Sequence, residues 1–135
     1  MAMQFSVAVR DARLDAIETQ VGLSAVLKIL SGAMPASCVT ADSGVVLATM
    51  TLPSDWMSAA ASGSKAKLGT WADTSADATG TAGYFRIYDS TGTTCHVQGT
   101  VTATGGGGDM TLDNVSIALA QSITITGFTL TDANA

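Results

Sequence analysis

Apolar residues near the start of the chain recur with a helical period. Leu14, Ile17 and Val21 are three and four residues apart and make one helical face, which Arg10 interrupts one turn earlier. Gly22 suits the position that ends such a helix. We therefore predict an amphipathic helix or arm within residues 1–24. So short a helix is marginal alone, and it packs either on its own sheet or on a neighbouring subunit. We expect that deleting residues 1–22 leaves a foldable β body but weakens assembly.

Beyond residue 24 the pattern has the two-residue period and turn signals of β-strands. We predict strands at residues 25–30, 44–52, 65–71, 83–89, 95–104 and 123–130, with a shorter one around residue 111. Gly127 suggests a bulge within the last of these. Seven or eight short strands of this kind favour a mainly β domain, residues 25–135, folded as an antiparallel β-sandwich or jelly roll.

The clearest β signal is a hairpin between residues 83 and 104. Tyr84, Arg86 and Tyr88 alternate with Phe85 and Ile87, and turn residues follow at 89–93. The second strand alternates apolar and hydroxyl-bearing residues. The hairpin is therefore expected to have one apolar face and one polar face.

Charge is sparse and unevenly distributed. Charged residues make up 13% of the chain and the net charge is −5, and Arg86 is the only Lys or Arg beyond residue 71. No basic patch is present for nucleic acid or an anionic membrane. No apolar run approaches the length of a membrane span, and the N-terminus lacks the pattern of a signal peptide. The low charge indicates either a surface covered by partners or one solvated by Thr and Ser hydroxyls.

Candidate catalytic and metal-binding residues are few, and each has a simpler explanation. His96 is the only histidine, and Cys95 beside it points to the opposite face of a regular strand, so the two make no catalytic dyad. Asp73 and Asp77 offer oxygens in a polar loop but do not match a calcium-binding loop. The glycines at 105–108 are not followed by the lysine of a phosphate-binding loop. We predict no enzyme activity, cofactor, metal site or small-molecule substrate.

The two cysteines are far apart in sequence. Cys38 and Cys95 do not have the density of a secreted disulfide framework. Reduced, buried thiols are favoured, and a single disulfide bridge is the alternative.

Interface residues are predicted from residue type and position. Trp is enriched at binding hot spots and Met at interfaces, so Trp56 and Met57 are candidates in a loop. Tyr84 and Tyr88 share one strand face, as the aromatic platform of a carbohydrate-binding module would. The remaining candidates lie in or near the N-terminal helix or arm: Phe5, Val9, Arg10 and Arg13.

Three stretches resemble a family of small structural proteins of tailed bacteriophages and prophages. They are VRDARLDAIETQVG with the following SAVLKILSGAMP, then GTAGYFRIYDSTGTTCHVQGTVTATGGGGDMTLDN, and finally ITGFTLTDANA. The resemblance implies a capsid decoration (cement) protein that is made in the bacterial cytoplasm and resides on the virion. Its partners would be its own copies, as a homodimer or homotrimer, and the major capsid protein. The alternatives are a tail, neck or baseplate component and a carbohydrate-binding β-sandwich module.

Overall fold

The computed structural model describes residues 3–134, and it is mainly β with one helix, as predicted. The helix, α1, spans Val7–Val21. Ten short strands follow: β1 Val26–Ser31, β2 Val46–Thr51, β3 Ser64–Ala66, β4 Trp71–Asp73, β5 Gly80–Tyr88, β6 Cys95–Ala103, β7 Met110–Leu112, β8 Ser116–Ile117, β9 Ile123–Ile125 and β10 Thr129–Thr131.

Six of the strands form the main sheet. Its order is β2-β1-β5-β6-β7, and β8 pairs with the start of β5. All of these pairs are antiparallel except β6 with β7, which is parallel. Two small antiparallel sheets, β10 with β3 and β4 with β9, complete the body.

The core lies between the main sheet and the two small sheets, which gives the sandwich-like arrangement. Leu27, Ile29, Phe85 and Ile87 point inward from β1 and β5 and are fully buried. The ring of Phe128, just before β10, lies 5.5 Å from that of Phe85 in an edge-to-face arrangement. Aromatic pairs in this geometry stabilise the core beyond the area they bury.

Two predicted strands are each divided in the structure. The predicted strand at 65–71 is β3 and β4, and the predicted strand at 123–130 is β9 and β10. Each half of one predicted strand pairs with one half of the other: β3 pairs with β10, and β4 pairs with β9. The break at residues 126–128 contains Gly127, where the sequence suggested a change of side-chain direction.

Helix α1 packs on the chain's own sheets. Ser6 caps its N-terminus by accepting a hydrogen bond from the Val9 backbone N–H, and Gly22 ends it with a φ of +92°. Leu14 and Val21 are buried on the side that faces the body. Of the two sequence-based alternatives, docking on its own sheet is therefore the one observed.

Candidate interaction surfaces

The N-terminal arm, residues 3–6, and the first helical turn present apolar side chains to solvent. Met3, Phe5, Val7 and Val9 are between 39% and 74% exposed. We call these four side chains the arm surface. Four exposed apolar residues within seven positions of the chain mark a candidate contact region.

The arm is held in place by the C-terminal segment. The backbone N–H of Phe5 donates to Asn134 Oδ1 at 2.9 Å, and Asn134 Nδ2 donates back to the Phe5 carbonyl at 3.1 Å. The Arg13 guanidinium lies 4.9 Å from the centre of the Phe5 ring, and its Nε is 3.1 Å from Asp132 Oδ2. These contacts fix the arm at Phe5 and leave its apolar side chains partly exposed.

Arg10 reinforces the same attachment from the helix. Its Nη1 donates to the Asp132 carbonyl oxygen at 3.0 Å, while its buried Nε has no hydrogen-bond partner among residues 3–134. Of the predicted interface residues, Phe5 and Val9 therefore lie on the arm surface. Arg10 and Arg13 hold that surface in position.

Trp56 and Met57 do not lie on any surface, contrary to the sequence-based interpretation. Trp56 is fully buried, and its Nε1 donates to the Gly22 carbonyl oxygen at 2.9 Å. Its ring lies 6.0 Å from that of Trp71. Met57 is 1% exposed and forms an isolated β-bridge with Lys67. Both residues join the helix end to the core, because the loop that carries them folds inward.

Tyr84 and Tyr88 share a strand face, as predicted, but that face is covered. The covering loop, residues 32–45, packs across the outer face of β5 and buries both tyrosines. Tyr84 Oη donates to the Ser43 carbonyl oxygen at 2.6 Å, and the Ser43 backbone N–H donates to Tyr84 Oη at 3.0 Å. Neither ring is accessible, so the two tyrosines form no platform for a sugar.

Arg86 is the main anchor of the covering loop. Its guanidinium, 2% exposed, makes a 2.7 Å ion pair with Asp42 and donates to the Ser37 carbonyl oxygen at 3.0 Å. Its Nε and Nη2 both donate to Gln98 Oε1. Tyr88 Oη donates to Asp42. The pKa of Tyr88 is raised, mainly because the side chain is buried and secondly because of this hydrogen bond. The sequence indicated the alternation here, but not that an arginine would be buried by a loop.

The covering loop carries a second set of exposed apolar residues. Met34, Val39 and Val45 project from it, and Val39 is 97% exposed. None of the three was predicted as an interface residue. Together with the arm surface, they are candidate contact regions within residues 3–134.

A cleft of about 580 Å³ lies between the C-terminal half of α1 and the segment before β3. Lys65, only 2% exposed, reaches into its wall, where Nζ lies 2.7 Å from Asp15 Oδ1 and 2.8 Å from Glu18 Oε2. Nζ also donates to the Ser58 carbonyl oxygen at 2.7 Å. Glu18 Oε1 in turn accepts from the Met57 backbone N–H. Lys65, Asp15 and Glu18 are therefore committed to holding the helix on the body, and Asp55 is a further charged residue of the cleft lining.

Two aspartates and the glycine-rich segment considered for chemistry make hydrogen bonds within the fold. Asp73 accepts from the Thr49 backbone N–H and Asp77 from the Thr49 hydroxyl, and Thr102 Oγ1 accepts from the backbone N–H of Gly108. Among residues 3–134, no three His, Cys, Asp or Glu side chains lie close enough together to hold a metal ion. The single helix of the described chain is too short and too polar to cross a membrane.

Comparisons with protein-family models, with curated proteins and with solved structures found no match to this chain.

Proposed function

We propose that this chain is a capsid decoration protein of a tailed bacteriophage, bound as a homodimer or homotrimer to the shell formed by the major capsid protein. The observation that carries the proposal is the arm surface: four exposed apolar side chains within residues 3–9, on an arm fixed at Phe5 by Asn134 and Arg13. The resemblance of the sequence to virion proteins supports the same function.

A fixed arm binds more tightly than a flexible one, because less conformational entropy is lost on docking. Full burial of a Val or Phe side chain contributes roughly 1.5–3 kcal/mol. Since the arm side chains are already partly covered, each has about 1 kcal/mol still to gain, or about 4 kcal/mol for the four. That sum hardly offsets the translational and rotational entropy lost by one protein.

Weak single contacts suit a protein that is attached at several points. Two or three arms in one oligomer would act together on a regular shell, and the later contacts form at a high effective concentration. The mainly β body holds its own arm in a fixed position, because its core is packed and its helix is tied to its sheets. No turnover of a substrate is part of this function.

The test is cosedimentation with phage heads that lack this protein. We expect Phe5→Ser combined with Val9→Ser to weaken binding to the heads by at least about tenfold, from the apolar area lost on each arm. The matched control is Leu119→Ser, which removes an apolar side chain of 64% exposure outside the arm surface. It should bind within about twofold of the natural protein, and thermal unfolding of all variants checks that they fold.

Equal binding by the arm variant and the natural protein contradicts the proposal. So does recovery of the protein with isolated tails and not with heads, which is the result expected of a tail, neck or baseplate component. Measurement of the mass in solution tests the oligomer, and a monomer at micromolar concentration contradicts that part.

A further inference from the structure

The two cysteines, far apart in sequence, meet beneath the covering loop. Cys38 lies within that loop and Cys95 is the first residue of β6. Both line the same small cavity, of about 240 Å³, together with Arg86 and Tyr88. The nearby Cys38 side chain contributes to a raised pKa of the Cys95 thiol. Both are half-buried free thiols.

A bulge in β6 creates this meeting. The pairing of β5 with β6 passes from Ile87 opposite Val97 to Tyr88 opposite Cys95, so His96 is the extra residue. A regular strand would place Cys95 on the core side with Val97, as the sequence suggested. The bulge instead moves Cys95 to the outer face, beside Tyr88 and under the loop.

The covering loop is anchored on both sides of Cys38. The Ser37 carbonyl oxygen accepts from Arg86 Nη2 at 3.0 Å, and Asp42 pairs with Arg86 Nη1 at 2.7 Å. A further bond joins Gln98 Nε2, on β6, to the Pro35 carbonyl oxygen at 2.8 Å. Cys38 is therefore held over the strand that begins with Cys95.

We propose that Cys38 and Cys95 form an intramolecular disulfide when the protein meets a low-molecular-weight disulfide such as oxidised glutathione. The Cys38 thiolate attacks one glutathione sulfur, forms a mixed disulfide and releases one molecule of glutathione. The Cys95 sulfur then attacks Cys38 Sγ, loses its proton to solvent and releases the second glutathione. The two cysteines are oxidised and one glutathione disulfide is reduced to two thiols.

The environment of Cys95 sets the order of these steps. Burial, and secondly the neighbouring Cys38 side chain, raises the pKa of Cys95 to about 12. Cys95 is therefore mostly a thiol at neutral pH and a poor first nucleophile, so Cys38 reacts first. Closure of the bond is expected to be slow and to accelerate as the pH rises.

The bond would fasten the covering loop to β6. It would link the covering loop to the main sheet. The covalent ring so formed contains strands β2 to β5, and a ring of this length restricts the unfolded chain. It would also fix the backbone next to Val39, the most exposed apolar residue of the loop. This inference does not depend on the proposed attachment to a capsid.

The experiment incubates the full chain with a buffer of oxidised and reduced glutathione, then alkylates free thiols in denaturant. We expect mass spectrometry to show the loss of two hydrogens, no alkylation, and a peptide that joins Cys38 to Cys95. The melting temperature should rise by about 10 °C and return on reduction. The matched variants Cys38→Ser and Cys95→Ser should show no oxidant-dependent rise.

Three results would overturn the inference. They are two thiols that remain open to alkylation after prolonged oxidation at pH 8, a stable mixed disulfide with glutathione as the only product, and dimers joined between chains. If a serine variant folds poorly, the mass and peptide analysis of the natural protein still decides the question.

Discussion

Lys65 offers the sharpest test of how the helix is held on the body. Its ammonium group is 2% exposed and contacts Asp15, Glu18 and the carbonyl oxygen of Ser58 at 2.7–2.8 Å. Replacing it by methionine keeps most of the apolar stem and removes the charge. The two helix carboxylates then face each other without a cation.

The expected loss of stability follows from these contacts. Removing one member of a buried ionic group typically costs about 3–5 kcal/mol, because the remaining charge is left without its partner. The carboxylates of Asp15 and Glu18 keep 49% and 19% of their side-chain surface, so water partly replaces the ammonium. We therefore expect Lys65→Met to lower the free energy of unfolding by about 2–3 kcal/mol.

Urea unfolding followed by circular dichroism measures this loss. The matched control is Lys67→Met, two residues along the chain, whose Nζ donates only to the Gly69 carbonyl oxygen and lies 5.7 Å from the ring centre of Trp71. The control should lose less than about 1 kcal/mol. Equal losses at the two positions would contradict this expectation. They would show that the buried ion pairs of Lys65 contribute no more to the free energy of unfolding than the contacts of Lys67.

The same cluster predicts a dependence on pH. The hydrogen bond from Lys65 holds the pKa of Asp15 below its ordinary value of 3.8, so its contribution is present above pH 3.8 and lost as the pH falls through the lower folded value. The carboxylates raise the pKa of Lys65 above 10.5, against the opposing effect of burial. Its contribution is present below pH 10.5 and lost above the raised value. The difference in stability between the natural protein and Lys65→Met should therefore shrink at both extremes, and a constant difference from pH 2 to pH 7 contradicts the assignment.

Three further predictions concern the covering loop and the attachment of the helix. Asp42→Ala leaves buried Arg86 without its ion pair and should cost about 2 kcal/mol in urea unfolding, against less than about 0.5 kcal/mol for the exposed control Asp113→Ala; equal values contradict the role of Asp42. A methyl group at Gly83 would clash with the backbone carbonyl of Gly32, so Gly83→Ala should lower the melting temperature by about 10 °C or more, and an unchanged melting temperature refutes this packing. Deletion of the arm and helix α1 should give an insoluble or unfolded chain, and a cooperative unfolding transition of the shortened chain would show that the body needs no helix.

The sequence predicts the β body because apolar and polar side chains alternate along its strands, and this alternation matches the two faces of the folded sheet. The alternation in residues 83–89 correctly indicates a shared face for Tyr84, Arg86 and Tyr88. It does not indicate what covers that face, because loop residues such as Ser37 and Asp42 carry no periodic signal. The burial of an arginine depends on partners that only the fold brings together.

The helix shows the same limit from the other direction. Leu14 and Val21 identify its buried face, and Gly22 identifies its end. The partner of that face could not be chosen from sequence, because Lys65 lies about fifty residues away and reads as an ordinary strand lysine. The expectation that the body folds without the helix therefore gives way to the opposite one.

The residues predicted at an interface differ in their exposure, and their role in an interface stays a prediction. Phe5 and Val9 lie on the arm surface, whereas Arg10 and the exposed Arg13 bind Asp132 and so help to hold it. Trp56 was assigned to an interface by residue type alone, and residue type does not distinguish a binding hot spot from a core anchor. Its bond to the Gly22 carbonyl oxygen shows the second use.

The most direct test of attachment to a viral shell is the number of copies of this chain in purified virions, measured by quantitative mass spectrometry against the major capsid protein. Attachment to the shell predicts a fixed ratio of this chain to the major capsid protein, which corresponds to hundreds of copies per particle. A protein bound at every equivalent position of the lattice is present at roughly one copy per site. A few copies per particle, or none, would contradict it.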